Sequence, residues 1–190
     1  MSALTGKVAL VTGGNGGIGL GMAEGLAQAG CDLVIWGSNA EKNAAAEKAL
    51  KARGVRVLAQ RCDVSDEAQV EARFAEALAA MGRIDGCFAN AGVSQKHGPF
   101  HELATAEWKR VLGVNLDGAF YTFRAAARHM VERGGGGVDL IDLGEGDLFE
   151  RDEVFAVPGH GKTGGKLGER RGVRAWRIRR GWCSKPAMRG

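Results

Sequence analysis

One stretch of this chain has residue types and spacing suited to holding a phosphate. It is the run TGGNGGIG, with Thr12, Gly13, Asn15, Gly17, Ile18 and Gly19 at its chemically telling positions. Gly13 permits a tight turn, Gly17 lets bare backbone approach a pyrophosphate, and Gly19 lets a following helix pack close to a preceding strand. Orphan N–H groups and the dipole at the start of that helix then favour negative charge. A glycine cluster also occurs in turns that hold nothing, so the reading depends on its flanks. A second string, AVPGHGKT from Ala156 to Thr163, has a loosened Walker A order with Ala for the first Gly. The residues after it, GGKLG, oppose the helix such a loop needs, so a nucleoside triphosphatase is set aside.

The flanks of the first loop are a strand and a helix. Residues 7–11 (KVALV) read as a strand, and residues 17–29 as a helix with Ile18, Met22, Leu26 and Ala29 on one face. The alternation continues: strand 31–36 (CDLVIW), helix 40–52, strand 55–60 (VRVLAQ), helix 65–81 with Ser65 as its N-cap, strand 84–89. A long helical stretch, 105–132, opens with Thr105 as N-cap and Glu107 in its first turn, and 138–143 (VDLIDL) reads as a fifth strand. Strand and helix at this spacing imply right-handed crossovers and an α/β, doubly wound parallel sheet of Rossmann type, incomplete on its C-terminal side. A ligand is then expected outside the carboxyl ends of the strands.

Composition divides the chain. Of 31 glycines, 14 lie from Gly134 onward, where no period of either kind is sustained. The net charge of +4 conceals an acidic body and a basic end rich in Arg. The expected domains are therefore 1–143, a dinucleotide-binding unit, and 144–190, an irregular Gly/Arg-rich tail. Arg170, Arg171, Arg174, Arg177, Arg179 and Arg180 with Trp176 and Trp182 suggest nucleic-acid contact, but no nucleic-acid-binding fold surrounds them, so only salt-sensitive, non-specific affinity is expected. The four cysteines form no CxxC pair and read as reduced thiols, not as a metal site. With no secretory pattern at the start and no apolar run of membrane length, a cytoplasmic location is expected.

Four matches in chain order resemble the short-chain dehydrogenase/reductase family over about residues 5–137. Thr12, Gly13, Gly17 and Gly19 have the family's Thr-Gly-x-x-x-Gly-x-Gly spacing. Asp63-Val64, after the third strand, resembles its adenine-contacting pair. Asn90-Ala91-Gly92, after the fourth, resembles its Asn-Ala-Gly element beside the nicotinamide ribose. Asn115, in the long helix, stands where the family has its catalytic asparagine. Each also has a plain structural reading: Asp63 as a turn former, Asn90 as a link between loops, Asn115 as the partner of a local carbonyl.

The resemblance implies NAD or NADP as cofactor and hydride transfer with a small alcohol or carbonyl substrate. Gly37 stands where an acid would select NAD, and Ser38 where an arginine would favour NADP, so the lean is slightly to NADP. Lys42 has the length to reach the adenosine ribose, but reads more readily as a solvated cation on a helix face. The resemblance also implies a catalytic Ser and a Tyr-x-x-x-Lys pair, and neither is found. No serine lies between Ser94 and Ser184, the sole tyrosine, Tyr121, has Ala125 four residues on, and Phe155 leads the segment where the pair should lie. His160 and Lys162 are weak substitutes in so Gly-rich a stretch. The run GVRAWRIRRGW, from Gly172 to Trp182, reads as a distorted form of the family's sixth-strand region, which suggests a truncated or frame-disrupted gene. Weak or absent turnover is expected, with a catalytically inactive dinucleotide-binding or interaction protein as the alternative. The 105–132 helix corresponds to part of the family's usual oligomer face, so a homo-oligomer is a further expectation.

Overall fold

The first two strands are buried on both faces, and that decides the architecture. β1 (Val8–Thr12) is buried along its whole length, and β2 (Asp32–Gly37) from its second residue onward. Such strands need helices on both sides, the arrangement parallel sheets adopt. The computed structural model describes residues 3–95 and 98–134, together with the backbone of 137–141 and 154–157. After β1 and β2, with α1 (Gly17–Gln28) between them, the chain runs through α2 (Ala40–Lys51), β3 (Val57–Arg61), α3 (Glu67–Met81) and β4 (Gly86–Ala89). A short 3₁₀ turn, Phe100–Glu102, precedes α4 (Thr105–Leu112), and a π turn, Gly113–Asp117, leads into α5 (Gly118–Arg133). β5 (Gly137–Ile141) and β6 (Val154–Val157) complete the sheet.

The strand order is β3-β2-β1-β4-β5-β6. β1 pairs in parallel with β2 and with β4, so the order reverses direction there, and the crevice lies at the carboxyl ends of β1 and β4. Side chains alternate across the sheet. Ala9, Leu33 and Ile35 meet Ala23 and Ala27 of α1 and Ala46 and Leu50 of α2. Val8, Leu10, Val34 and Trp36 meet Val70 and Phe74 of α3 and Ala125 and Met130 of α5. This is the doubly wound α/β sheet expected from the strand and helix alternation.

Several local expectations need correction. Ser65 does not cap α3. Asp66 does, accepting from the Gln69 N–H at 3.1 Å, while the Ser65 hydroxyl donates to Asp63 Oδ1 at 2.6 Å. Thr105 is not a cap either: Ala104 holds that position and its carbonyl takes the Glu107 and Trp108 N–H groups. The long 105–132 helix is interrupted, since Gly118 N–H reaches back five residues to the Gly113 carbonyl. Strand ends shift by one or two residues, because strands buried on both faces show no alternation to mark their limits. β6, antiparallel to β5, lies in the segment expected to be irregular. Its Ala156 and Val157 begin the Walker-like string; His160, Lys162, Thr163 and the Arg/Trp-rich run lie outside the described residues.

Candidate nucleotide-binding site

At the reversal point the glycine loop turns from β1 into α1. Gly13 has φ +67° and no space for a side chain: a Cβ there would stand 2.9 Å from the Asn90 amide and 3.2 Å from Ala91 Cα. A Cβ on Gly19 would overlap the Gly13 carbonyl and the Asn90 amide. Gly17 differs. It has φ +54°, and nothing lies within 4 Å of where its Cβ would be, so its backbone faces open space. Two of these glycines thus allow chain to pack on chain, and the third leaves a bare surface.

The start of α1 is prepared for an anion by contrast with its neighbours. α2 is capped by the Asn39 side chain and α3 by Asp66, and each carries a Glu in its first turn. α1 begins at Gly16 with no side-chain cap and no acid in its first turn. Its positive end is therefore not neutralised by the described side chains, and it opens into a cleft of about 510 Å³.

All the residues expected to hold the cofactor line this cleft except Thr12: Gly13, Asn15, Gly17, Ile18, Gly19, Ser38, Asp63, Val64, Asn90, Ala91 and Gly92. Thr12 is buried just behind them. Its hydroxyl accepts from the Ala91 N–H at 2.9 Å, and its carbonyl accepts from Asn90 Nδ2 at 2.9 Å. The two loops that wall the cleft are thereby tied together across 78 residues of sequence. Asp63 keeps its carboxylate engaged by the Ser65 N–H and hydroxyl, so it enters the wall with a fixed orientation. Cys62, beside it, is a neutral thiol, since burial pushes its pKa up to about 12.

Asn115 lies on the π turn and does not line the cleft. Its amide pairs both ways with the Val93 backbone, accepting from the N–H at 2.9 Å and donating to the carbonyl at 3.1 Å. Val93 and Val114 do line the cleft, so the asparagine holds the wall through its neighbours. Tyr121 is elsewhere, on α5, with its ring 5.8 Å from Phe120 and the Arg124 guanidinium above it.

The structure brings further residues to the cleft wall. Lys42, read as a solvated cation, lines the cleft. The signal was available: with Asn39 as N-cap, Lys42 falls in the first turn of α2, the end nearest the strand termini. Trp36, fully buried, forms part of the wall and donates its indole N–H to Gln60 Oε1 at 2.9 Å. Among the described residues there is no group of three or more side chains placed to hold a metal ion, and no helix long and apolar enough to cross a membrane.

Comparison with known proteins agrees with this geometry. The short chain dehydrogenase family model matches residues 7–141, more than half of the chain. Gluconate 5-dehydrogenase of Gluconobacter oxydans is 38% identical over 133 residues, which cover 70% of this chain and 52% of that protein. Among solved structures, NAD⁺-bound xylitol dehydrogenase superposes with a TM-score of 0.67 at 33% identity, covering 70% of this chain and 51% of that one. A metagenomic short-chain oxidoreductase in complex with NADP gives 0.67 at 36% identity, covering 70% and 60%. The chain spans about half the length of the curated relatives it matches. The glycine bend, the switch-point cleft and these matches converge on one conclusion: the chain belongs to the short chain dehydrogenase family.

Proposed function

We propose that residues 1–143 form an NAD(P)-binding Rossmann-type domain of oxidoreductase type. The observation that carries this reading is the uncapped, acid-free start of α1 opening beside Gly17 into the cleft. The residues fit the group. Gly13, Gly17, Ile18 and Gly19 would hold the pyrophosphate on bare backbone, Asp63 and Val64 the adenine, and Asn90, Ala91 and Gly92 the nicotinamide side. Thr12 and Asn15 would act from behind and beside the bend, and Ser38 would face the adenosine ribose. NADP is preferred slightly over NAD because Gly37 puts no carboxylate there.

When bound, the dinucleotide supplies the site that gives or takes a hydride, and the substrate class is a small alcohol or carbonyl compound. The chain's own contribution is to orient that group and exclude water from it. Of the family's four catalytic residues only Asn115 is represented, and it acts as a positioning residue that holds Val93 against the cleft. Turnover by this chain is weak or absent. The second reading, an inactive dinucleotide-binding or interaction protein, is favoured by Tyr121, whose ring is engaged on α5 with Phe120 and Arg124. Pairing of two copies through the 105–132 helix belongs to either reading, since Trp108, Leu116 and Phe120 are exposed on it.

Fluorescence titration with NADPH and NADH, followed by a turnover screen over carbonyl substrates, tests both parts. Saturable binding with negligible turnover is the expected result. Robust turnover refutes the inactivity, and failure to bind either dinucleotide refutes the domain assignment.

A further inference from the structure

Of the five asparagines in the chain, Asn15 alone is followed by a glycine, and it sits in the middle of the glycine loop. An asparagine side chain can be attacked by the backbone nitrogen of the next residue, and a following glycine eases the approach because it has no side chain in the way. The surroundings leave that approach open. Asn15 and Gly16 are half-buried and line the cleft, and nothing lies within 4 Å of where a Gly16 Cβ would be. The other four asparagines are placed differently: Asn43 is buried, Asn39 caps α2, Asn90 donates to the Thr12 carbonyl, and Asn115 pairs both ways with Val93.

One bond restrains the Asn15 amide: its Nδ2 donates to Asn43 Oδ1 at 2.6 Å. Asn43 is only 4% exposed, and its own nitrogen donates to the carbonyls of Gly37 and Gln60, each at 3.0 Å. Its oxygen is thereby fixed as the acceptor that faces Asn15. Held in this way the Asn15 amide turns less freely, which slows an attack on it without barring it. The same bond decides what a change at position 15 would do. An amide there donates to Asn43, whereas a carboxylate can only accept, and would set its charge against an oxygen that cannot turn away. The donors left open beside it are the N–H groups at the start of α1, a helix end with neither a side-chain cap nor an acid in its first turn. A carboxylate would supply the missing negative charge at the helix end that a pyrophosphate needs.

We propose that Asn15 is a self-modification site, at which loss of the side-chain nitrogen converts the open glycine loop into one that carries its own anion and excludes the dinucleotide. Water is the only co-reactant. The Gly16 nitrogen gives up its proton and bonds to Asn15 Cγ, the Cγ–Nδ2 bond breaks, and Nδ2 takes up that proton and leaves as ammonia. Water then opens the cyclic imide at either carbonyl, which gives aspartate or isoaspartate at position 15 and releases a proton from the new acid. Nothing is oxidised or reduced. The effect on binding rests on the dinucleotide reading above, while the step itself rests on the Asn-Gly pair and its open surroundings.

The test follows the full chain, held in mildly alkaline buffer, by peptide mapping with mass spectrometry and by fluorescence titration with NADPH. Acid is expected to build up at residue 15 ahead of Asn39 and Asn90. The fraction of chain that binds NADPH should fall in step, with the melting temperature held. Gly16→Ala should slow the build-up about tenfold, and the extended backbone of Gly16, φ −176°, accepts the new side chain without strain. Asn15→Asp should fold like the parent and bind NADPH about tenfold more weakly at low salt. Change at residue 15 no faster than at Asn39 and Asn90, or a rate that Gly16→Ala leaves unaltered, overturns the modification site. Parent-like NADPH affinity in Asn15→Asp overturns the effect on binding. If the fresh parent binds neither NADPH nor NADH, the dinucleotide reading fails, and peptide mapping still decides the modification.

Discussion

Glycines in one loop do different work, and substitution separates them. Ala at position 19 would put a methyl group into the Gly13 carbonyl and the Asn90 amide, so Gly19→Ala should cost about 2 kcal/mol of stability through overpacking. Ala at position 17 meets no neighbour and is strained only by φ +54°, about 1 kcal/mol. Its methyl would stand where a pyrophosphate should approach, so Gly17→Ala should stay folded yet lose dinucleotide affinity on the order of tenfold or more. Urea melts and fluorescence titration of the two variants check the split; equal effects on both quantities would contradict it. These glycines were legible in the sequence because the motif is local, eight residues from Thr12 to Gly19. The Asn15–Asn43 link was not, since its partners are 28 residues apart and neither type signals a buried pairing.

At the scale of elements, alternating strands and helices were legible from apolar runs and propensity, and their ends were not. Asp63, Ser65 and Asp66 are all good capping types crowded into four residues, and only the fold decides that Asp63 takes the Ser65 hydroxyl while Asp66 caps α3. β6 was missed because its run VFAV is four residues long and pairs antiparallel to β5 at the far end of the sheet. The interrupted helix has its own test. Asn115→Ala would remove both bonds to Val93, which should cost about 1–2 kcal/mol and release the wall after β4. Amide exchange at Val93 should quicken severalfold while that of β1 stays slow. Unchanged protection at Val93 would mean that the loop is held by something else.

For the molecule as a whole, one carboxylate joins distant parts of the chain. Asp85 accepts from the Val8 N–H at 3.0 Å at the entry to β1, from Arg83 Nε at 2.7 Å, and lies 3.2 Å from Arg133 at the end of α5. Burial pushes its pKa upward, but the Arg83 and Val8 hydrogen bonds and the charges of Arg83 and Arg133 outweigh that and hold it below the usual carboxylate range. A depressed folded pKa means stability that is present above the unfolded value, near 4, and is lost as pH falls through the folded value. Asp85→Asn should therefore destabilise the protein by about 2 kcal/mol at pH 7, and the gap to the parent should narrow in acid below pH 4. Chemical melts at pH 7 and pH 3 measure it; a constant gap would refute the linkage. Dinucleotide at a hundred times its dissociation constant adds about 2.7 kcal/mol, which should raise the melting temperature by about 5–10 °C.

The π turn at Gly113–Asp117 acts, in terms of phase, as one residue too many. Because each helical residue advances the chain by about 100°, that surplus sets how α5 is rotated about its axis relative to α4. Deleting a single residue there would mend the hydrogen-bond ladder and make a more regular helix. It would also swing one half by about a quarter turn against the other, taking Asn115 away from Val93 or Ala125 and Met130 out of the core. The irregularity is thus what lets one rod serve both the wall of the crevice and the flank of the sheet.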